Sequence, residues 1–175
     1  FAIACIVSAF WEGGKRMGRV ADFIGEQNRY ELMLAEAMGW DFVEGQSKGS
    51  GIDFVAPDGA NIEAKFDWDS IKTGNHYLEF AQTSNGGKTW IPSGFSISAD
   101  EADLWIVVNE EWMRTLTVDS VKKMITENRS NLKITQTRAG VNFNRPGQLS
   151  KAYLIPFDLL DNYVMQKMPS PIKRE

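Results

Sequence analysis

Two acidic side chains and a lysine, Asp53, Glu63 and Lys65, occur within one short stretch of the chain. Carboxylates placed opposite each other in a sheet repel, so they are retained when a cation lies between them. Oxygen ligands of this type suit Mg²⁺ or Mn²⁺, and a neighbouring ammonium group can orient an attacking water or stabilise negative charge. The trio predicts a metal-dependent hydrolytic site, and the alternative is a solvated hairpin face that carries three charges.

A tight turn between the two acids predicts how close they come. Pro57-Asp58-Gly59 suits a three-residue hairpin loop, with Pro at the first corner and Gly in the left-handed conformation. Counting outward from the turn places Asp53 directly opposite Glu63. Side-chain alternation then places Glu63 and Lys65 on one face, with apolar residues on the other.

A helix before the hairpin supplies a third candidate acid. The periodicity of apolar residues predicts a helix from about Asp22 to Met38. Glu31 falls on the apolar side of this helix, where a carboxylate is costly unless it is paired or near a metal. Glu26 lies at the margin of that face and Glu36 outside it, so Glu31 is the expected third acid. A partly exposed Glu31 at the edge of the face is the alternative.

The spacing of these residues resembles the core of the PD-(D/E)XK nuclease superfamily, which includes restriction endonucleases and Holliday junction resolvases. The resemblance implies that Asp53, Glu63 and the carbonyl of Ala64 hold Mg²⁺ or Mn²⁺, that Lys65 acts on the attacking water, and that Glu31 assists from the helix. It implies an endonuclease that hydrolyses duplex or branched DNA and leaves a 5′-phosphate.

Three further polar residues near the motif receive no catalytic assignment. Asp58 follows Pro57 as in the literal family motif, but the turn corner directs it away from Glu63. Glu79 is either a supplementary acid or a charge at a strand edge. The single histidine, His76, is expected at a loop or strand end.

Basic residues are concentrated in the second half of the chain. The net charge is −4 overall, yet residues 114–151 carry eight basic and two acidic residues, against eight basic and eighteen acidic ones in residues 1–113. Phosphate contacts come from Lys and Arg, so this asymmetry favours a DNA-binding half, although a solvated basic helix and loop is the alternative. The candidate contacts are Lys48, Lys122, Lys123, Arg138 and Arg145.

Length and composition predict one domain of 17–165, with an N-terminal extension of 1–16 and a C-terminal tail of 166–175. The extension is apolar but too short to span a bilayer, so no membrane association is expected. With Cys5 as the single cysteine, no intrachain disulfide is available, which favours a cytoplasmic setting.

Strand and helix signals predict an α/β fold with a mixed central β-sheet flanked by helices, of the restriction-endonuclease-like type. Residues 105–108 form a buried strand, Thr117 caps a helix, 131–137 form an edge strand and 152–155 a final strand.

The sequence leaves several functional alternatives open. A non-catalytic nucleic-acid-binding or assembly protein could retain the same fold, and an exonuclease or RNA-directed enzyme could use the same site. A homodimer is also left open, because cleavage specificity depends on loops and subunit arrangement.

Overall fold

A computed structural model of the chain describes residues 26–43, 51–138 and 148–174. The predicted N-terminal extension, Lys48 and Arg145 lie outside the described residues, as do the side chains of Glu26 and Arg138.

The described part of the chain contains five helices and ten strands. The helices are α1 (Glu26–Met38), α2 (Ser70–Thr73), α3 (Phe95–Ser98), α4 (Val118–Asn128) and α5 (Phe157–Asp161). The strands are β1 (Asp41–Phe42), β2 (Phe54–Val55), β3 (Asn61–Phe66), β4 (Asn75–Thr83), β5 (Ile91–Pro92), β6 (Leu104–Val108), β7 (Trp112–Thr117), β8 (Lys133–Arg138), β9 (Leu149–Pro156) and β10 (Gln166–Pro169).

These strands form two sheets instead of the one predicted. The first has the order β1-β2-β3-β6-β7-β10, and it is mixed because β3 and β6 run parallel while the other neighbours are antiparallel. The second has the order β5-β4-β9-β8 and is antiparallel throughout. The fold is therefore α/β, with one mixed and one antiparallel sheet flanked by helices.

The first sheet separates two apolar cores. On one face, Leu34 of α1 packs against Ile62, Ala64 and Ile106. The opposite face carries the side chains of alternate residues, such as Trp105. It packs with the second sheet and helix α4, and the core formed there includes Leu78, Leu116, Val121 and Ile155. Residues 63 and 65 of β3 share the face of Trp105 because side chains alternate along a strand.

Several sequence predictions of elements are confirmed. Strand β6 is buried from residue 105 to 108, and the Thr117 hydroxyl caps α4 by accepting from the Ser120 N–H at 3.1 Å. Strand β8 lies at the edge of its sheet, as expected. Residues 166–169, assigned to a tail, instead form strand β10 beside β7 in the first sheet.

Candidate active site

The hairpin that carries the site has the predicted turn. Ala56 and Ala60 close the loop, with the Ala56 N–H donating to the Ala60 carbonyl oxygen at 2.9 Å. Gly59 has a φ of 87°, the left-handed conformation that the turn requires and that glycine adopts without strain. Phe54 pairs with Ile62, which is the predicted register.

The predicted direct pairing of Asp53 with Glu63 is wrong, because the ladder shifts at Asp53. The Asp53 N–H donates at 2.7 Å to the carbonyl oxygen of Ile62, the residue that already pairs with Phe54. Two residues of one strand thus face a single residue of the other, as in a β-bulge. Bulges re-aim side chains and occur beside active sites. Here the shift turns Asp53 toward the edge of β3.

The Asp53 carboxylate contacts the backbone of the residue between Glu63 and Lys65. Its Oδ2 accepts a 2.8 Å hydrogen bond from the Ala64 N–H, and the side chain is buried. The N–H and C=O of one strand residue point to the same side, so the Ala64 carbonyl is directed toward the same edge as Asp53. Both oxygens therefore face the edge that β2 leaves open beyond Ile62.

Glu63 and Lys65 contact each other on the face of β3 that looks toward the second sheet. Lys65 Nζ donates to Glu63 Oε1. The Glu63 side chain is 6% exposed and that of Lys65 is 32% exposed, so the lysine is the member of the pair that reaches solvent. The ammonium also lies 5.6 Å from the ring centroid of Trp105.

Helix α1 brings Glu31 to the same group of charges. Glu31 is buried, as its position on the apolar helix face predicts, whereas Glu36 is exposed. The charge of Glu31 acts on Lys65, because it helps to raise the pKa of that ammonium group. The structure therefore collects three buried acids, Asp53, Glu63 and Glu31, around one lysine.

Burial and neighbouring charges shift the pKa values of both residues of the ion pair. Burial raises the pKa of Glu63 to about 7; the Lys65 charge opposes this rise, and the Asp53 carboxyl group adds to it. Burial alone would lower the pKa of Lys65, but the charges of Glu63, Asp53 and Glu31 outweigh it, and the pKa is raised. Lys65 is therefore a cation at neutral pH and cannot act there as a proton acceptor.

One oxygen of the site lacks a donor. Glu63 Oε2 is buried and has no hydrogen-bond partner among the described residues, and an oxygen in this position is costly unless a proton or a cation reaches it. The described residues contain no group of three or more His, Cys, Asp and Glu side chains placed to hold a metal ion together. Mg²⁺ typically uses only one or two carboxylates and keeps several waters, so Glu63, Asp53 and the Ala64 carbonyl fit such an ion.

A cleft of about 710 Å³ opens beside the lysine. Lys65 and Trp105 line it from the first sheet, and Tyr77 and Glu79 line it from strand β4 of the second sheet. The solvent-facing side of Lys65, which contacts Glu63, therefore borders this cleft. The volume of the cleft is in the range usual for ligand sites.

The residues without an assigned role have distinct environments. Asp58 is exposed at the turn, away from the acids. Glu79 lies in an interior strand, where Ser93 Oγ donates to its Oε1. His76 is 1% exposed, and its Nδ1 lies 2.9 Å from Asp67 Oδ2. The burial of His76 could not be predicted from local sequence, because its partner Asp67 comes from the turn after β3.

None of the basic side chains that the structure describes within residues 114–151 lines the cleft. Lys122 Nζ donates to the Ala99 carbonyl oxygen at 2.9 Å, and Lys123 Nζ lies 3.9 Å from Glu127 Oε1; neither lysine lines the cleft. Arg114, counted in the basic half, is 3% exposed and belongs to the interior. DNA contacts by Lys122 and Lys123 remain a prediction.

Comparison with models of known protein families and with curated proteins gives no match for this chain. The resemblance of residues 53–65 to the PD-(D/E)XK superfamily therefore stays a prediction. Among the described residues, no helix combines the length and apolar character needed to cross a membrane.

Proposed function

We propose that this protein is a metal-dependent DNA endonuclease of the PD-(D/E)XK type with a restriction-endonuclease-like fold. The observation that carries the proposal is the Glu63 carboxylate: it is buried, its Oε1 contacts Lys65, and its Oε2 has no partner among the described residues. Asp53 lies beside it through the bulge and the Ala64 amide.

Each requirement of phosphodiester hydrolysis has a residue to meet it. Bound Mg²⁺ or Mn²⁺ would neutralise phosphate charge and help water to attack phosphorus. Asp53, Glu63 and the Ala64 carbonyl would hold the ion, and Glu31 would support it from α1. The charged Lys65 would orient the water or stabilise negative charge as the new phosphorus–oxygen bond forms and the bond to the 3′ oxygen breaks. Its raised pKa keeps it in the cationic form that this role needs.

A non-catalytic nucleic-acid-binding or assembly protein is the second candidate. It is favoured by one observation: no three metal-ligating side chains converge among the described residues, and the Lys65 ammonium already compensates the Glu63 charge. In that protein the ion pair would be a structural feature of the sheet.

The deciding experiment combines metal titration with a substrate panel. Isothermal titration with Mn²⁺ and Mg²⁺ should show binding that Glu63→Ala abolishes. Closed circular DNA, linear duplex, a four-way junction and RNA should then be incubated with each metal. Nicking of closed circular DNA identifies an endonuclease, and digestion of linear substrates alone identifies an exonuclease.

The controls separate catalysis from folding and contamination. Asp58→Asn should cleave like the original protein, because Asp58 is exposed at the turn. The proposal fails if the folded protein binds neither metal, or if Glu63→Ala cleaves as fast as the original.

A further inference from the structure

Aromatic side chains form much of the lining of the cleft beside Lys65. From the β3 side come Phe66 and Trp68, whose ring centroids lie 5.9 Å apart at an interplanar angle of 27°, so that the rings stack. Tyr30 meets Trp68 edge-on, with the centroids 4.9 Å apart. These contacts hold Trp68 in place while leaving it partly exposed.

A further ring lines the cleft from the second sheet. The Tyr77 hydroxyl lies 2.8 Å from Thr137 Oγ1 and 2.5 Å from Ser150 Oγ, so its ring is held on strand β4. Tyr77 is half-buried and lines the same cleft as Trp68. Rings that are already fixed lose little conformational entropy when a ligand stacks on them.

Charge decides which kind of ligand fits. The charged residues that line the cleft are Asp67, Asp69, Glu79, Lys65 and Arg174. Carboxylates outnumber cations, which disfavours a chain of phosphates inside the cleft. A flat, uncharged ring with polar edges suits the combination of aromatic faces and carboxylate acceptors.

One residue of the cleft lining carries a hydrogen-bond donor without an acceptor among the described residues. Trp105 is 1% exposed and lines the cleft, and its Nε1 has no hydrogen-bond partner among the described residues. A buried N–H without a partner is costly. A carbonyl or ring-nitrogen acceptor on a bound ligand would meet that need.

From these observations we propose that the cleft binds one unpaired nucleobase of a DNA strand, stacked against Trp68 and Tyr77. Lys65 belongs both to the cleft and to the acidic cluster, so the base would lie next to the phosphate presented to Glu63. This placement rests on the proposed nuclease function. The substrates are then DNAs with unpaired nucleotides at the cleavage point, such as overhangs or flaps, in preference to uninterrupted duplex.

The test uses a DNA duplex with a short overhang whose first unpaired base is 2-aminopurine, which loses fluorescence when it stacks. Binding is followed in EDTA and again in Ca²⁺, without hydrolysis as a readout. We expect quenching by the original protein and affinity about 5- to 150-fold weaker for Trp68→Ala, the range for losing one base–aromatic stack. Trp68→Phe keeps a ring and should retain most of the quenching.

The matched control is Trp112→Ala, which removes a partly exposed tryptophan outside the cleft and should leave quenching unchanged. Thermal melts check that every variant is folded; should Trp68→Ala not fold, Trp68→Leu replaces it. The proposal is overturned by absence of quenching in both buffers, by equal affinity of the ring-less variant, or by equal quenching of 2-aminopurine inside a blunt duplex.

The two proposals fail separately. Cleavage of DNA without quenching overturns the base site and leaves the nuclease standing. Quenching without cleavage in Mg²⁺ or Mn²⁺ leaves the base site and supports the binding protein instead.

Discussion

The Asp53 carboxylate accepts a 2.8 Å hydrogen bond from the backbone N–H of Ala64. This contact ties the first acid of the site to the strand that carries Glu63 and Lys65. It also fixes the direction of the Asp53 side chain, which lies beside Glu63. The bulge at Asp53, and not a regular cross-strand pair, produces this geometry.

Replacing Asp53 with Asn should abolish Mn²⁺ binding and cleavage, because the amide lacks the charge that attracts the ion. The matched variant Asp58→Asn changes the same residue type five positions later, at an exposed turn corner, and should bind and cleave normally. Titration calorimetry and plasmid nicking measure the two effects. Equal loss in both variants would contradict the assignment of Asp53.

Glu31→Gln should lower the cleavage rate while leaving the fold intact, since the amide keeps the size of the buried side chain. Glu31 acts electrostatically on Lys65, so the loss should be accompanied by a lower pKa for the Lys65 ammonium, measurable by NMR. Glu36→Gln lies on the same helix but is exposed, and it should change neither quantity. An unchanged Lys65 pKa in Glu31→Gln would show that Glu31 does not belong to the site.

The local chemistry of the turn and of helix α1 made part of the site predictable. Pro57 and Gly59 specify the loop, and apolar periodicity predicts that Glu31 is buried. The bulge at Asp53 was not predictable, because turn chemistry specifies the register near the loop and not the later contacts of Asp53 with Ile62 and Ala64. The division into two sheets was also missed, since it depends on long-range pairing such as that of β4 with β9.

Lys65→Met should abolish cleavage but not metal binding. The loss of one preorganised cation at the transition state lowers rates by about 10²-fold or more. Removal of the ammonium also frees Glu63 Oε1, so Mn²⁺ affinity at pH 8 should be equal or higher. Lys72→Met, at an exposed lysine, is the control. Loss of metal binding in Lys65→Met would show that the lysine is needed to position Glu63.

The raised pKa of Glu63 predicts how the stability of the metal-free protein depends on pH. Because the pKa rises from 4.5 in the unfolded chain to about 7 in the fold, the folded state prefers the protonated group. The contribution of Glu63 to the free energy of unfolding is fully present below pH 4.5 and is lost as the pH rises through about 7. The loss is on the order of 3 kcal/mol.

Urea unfolding in EDTA across this pH window measures the effect. The side chain of Glu63→Gln cannot ionise. The free energy of unfolding of this variant should therefore increase relative to that of the original protein as the pH rises. Glu36→Gln should follow the original protein at every pH. A constant difference between the original protein and Glu63→Gln would show that the Glu63 pKa is not raised.

The interior ion pair of Arg114 and Asp161 should contribute to stability and not to DNA binding. Arg114 Nε donates to Asp161 Oδ1 at 2.7 Å, and the guanidinium lies 4.1 Å from the Phe157 ring centroid. Partial burial alone would raise the pKa of Asp161, but hydrogen bonds from Arg114 and Lys167 and their charges together outweigh it, so the pKa is lowered. The contribution of Asp161 to the free energy of unfolding is thus present above pH 3.8. It is lost as the pH falls through the lower pKa that Asp161 has in the folded state.

Asp161→Asn should destabilise the fold by about 2–3 kcal/mol, because it leaves the buried Arg114 charge without a counter-charge while Asp161 itself is partly exposed. Asp158→Asn changes an exposed residue of the same helix and should have little effect. Denaturant unfolding at pH 7 measures both. The salt dependence of DNA binding should be the same for both folded variants, and a steeper salt slope in Asp161→Asn would instead place the released Arg114 among the phosphate contacts.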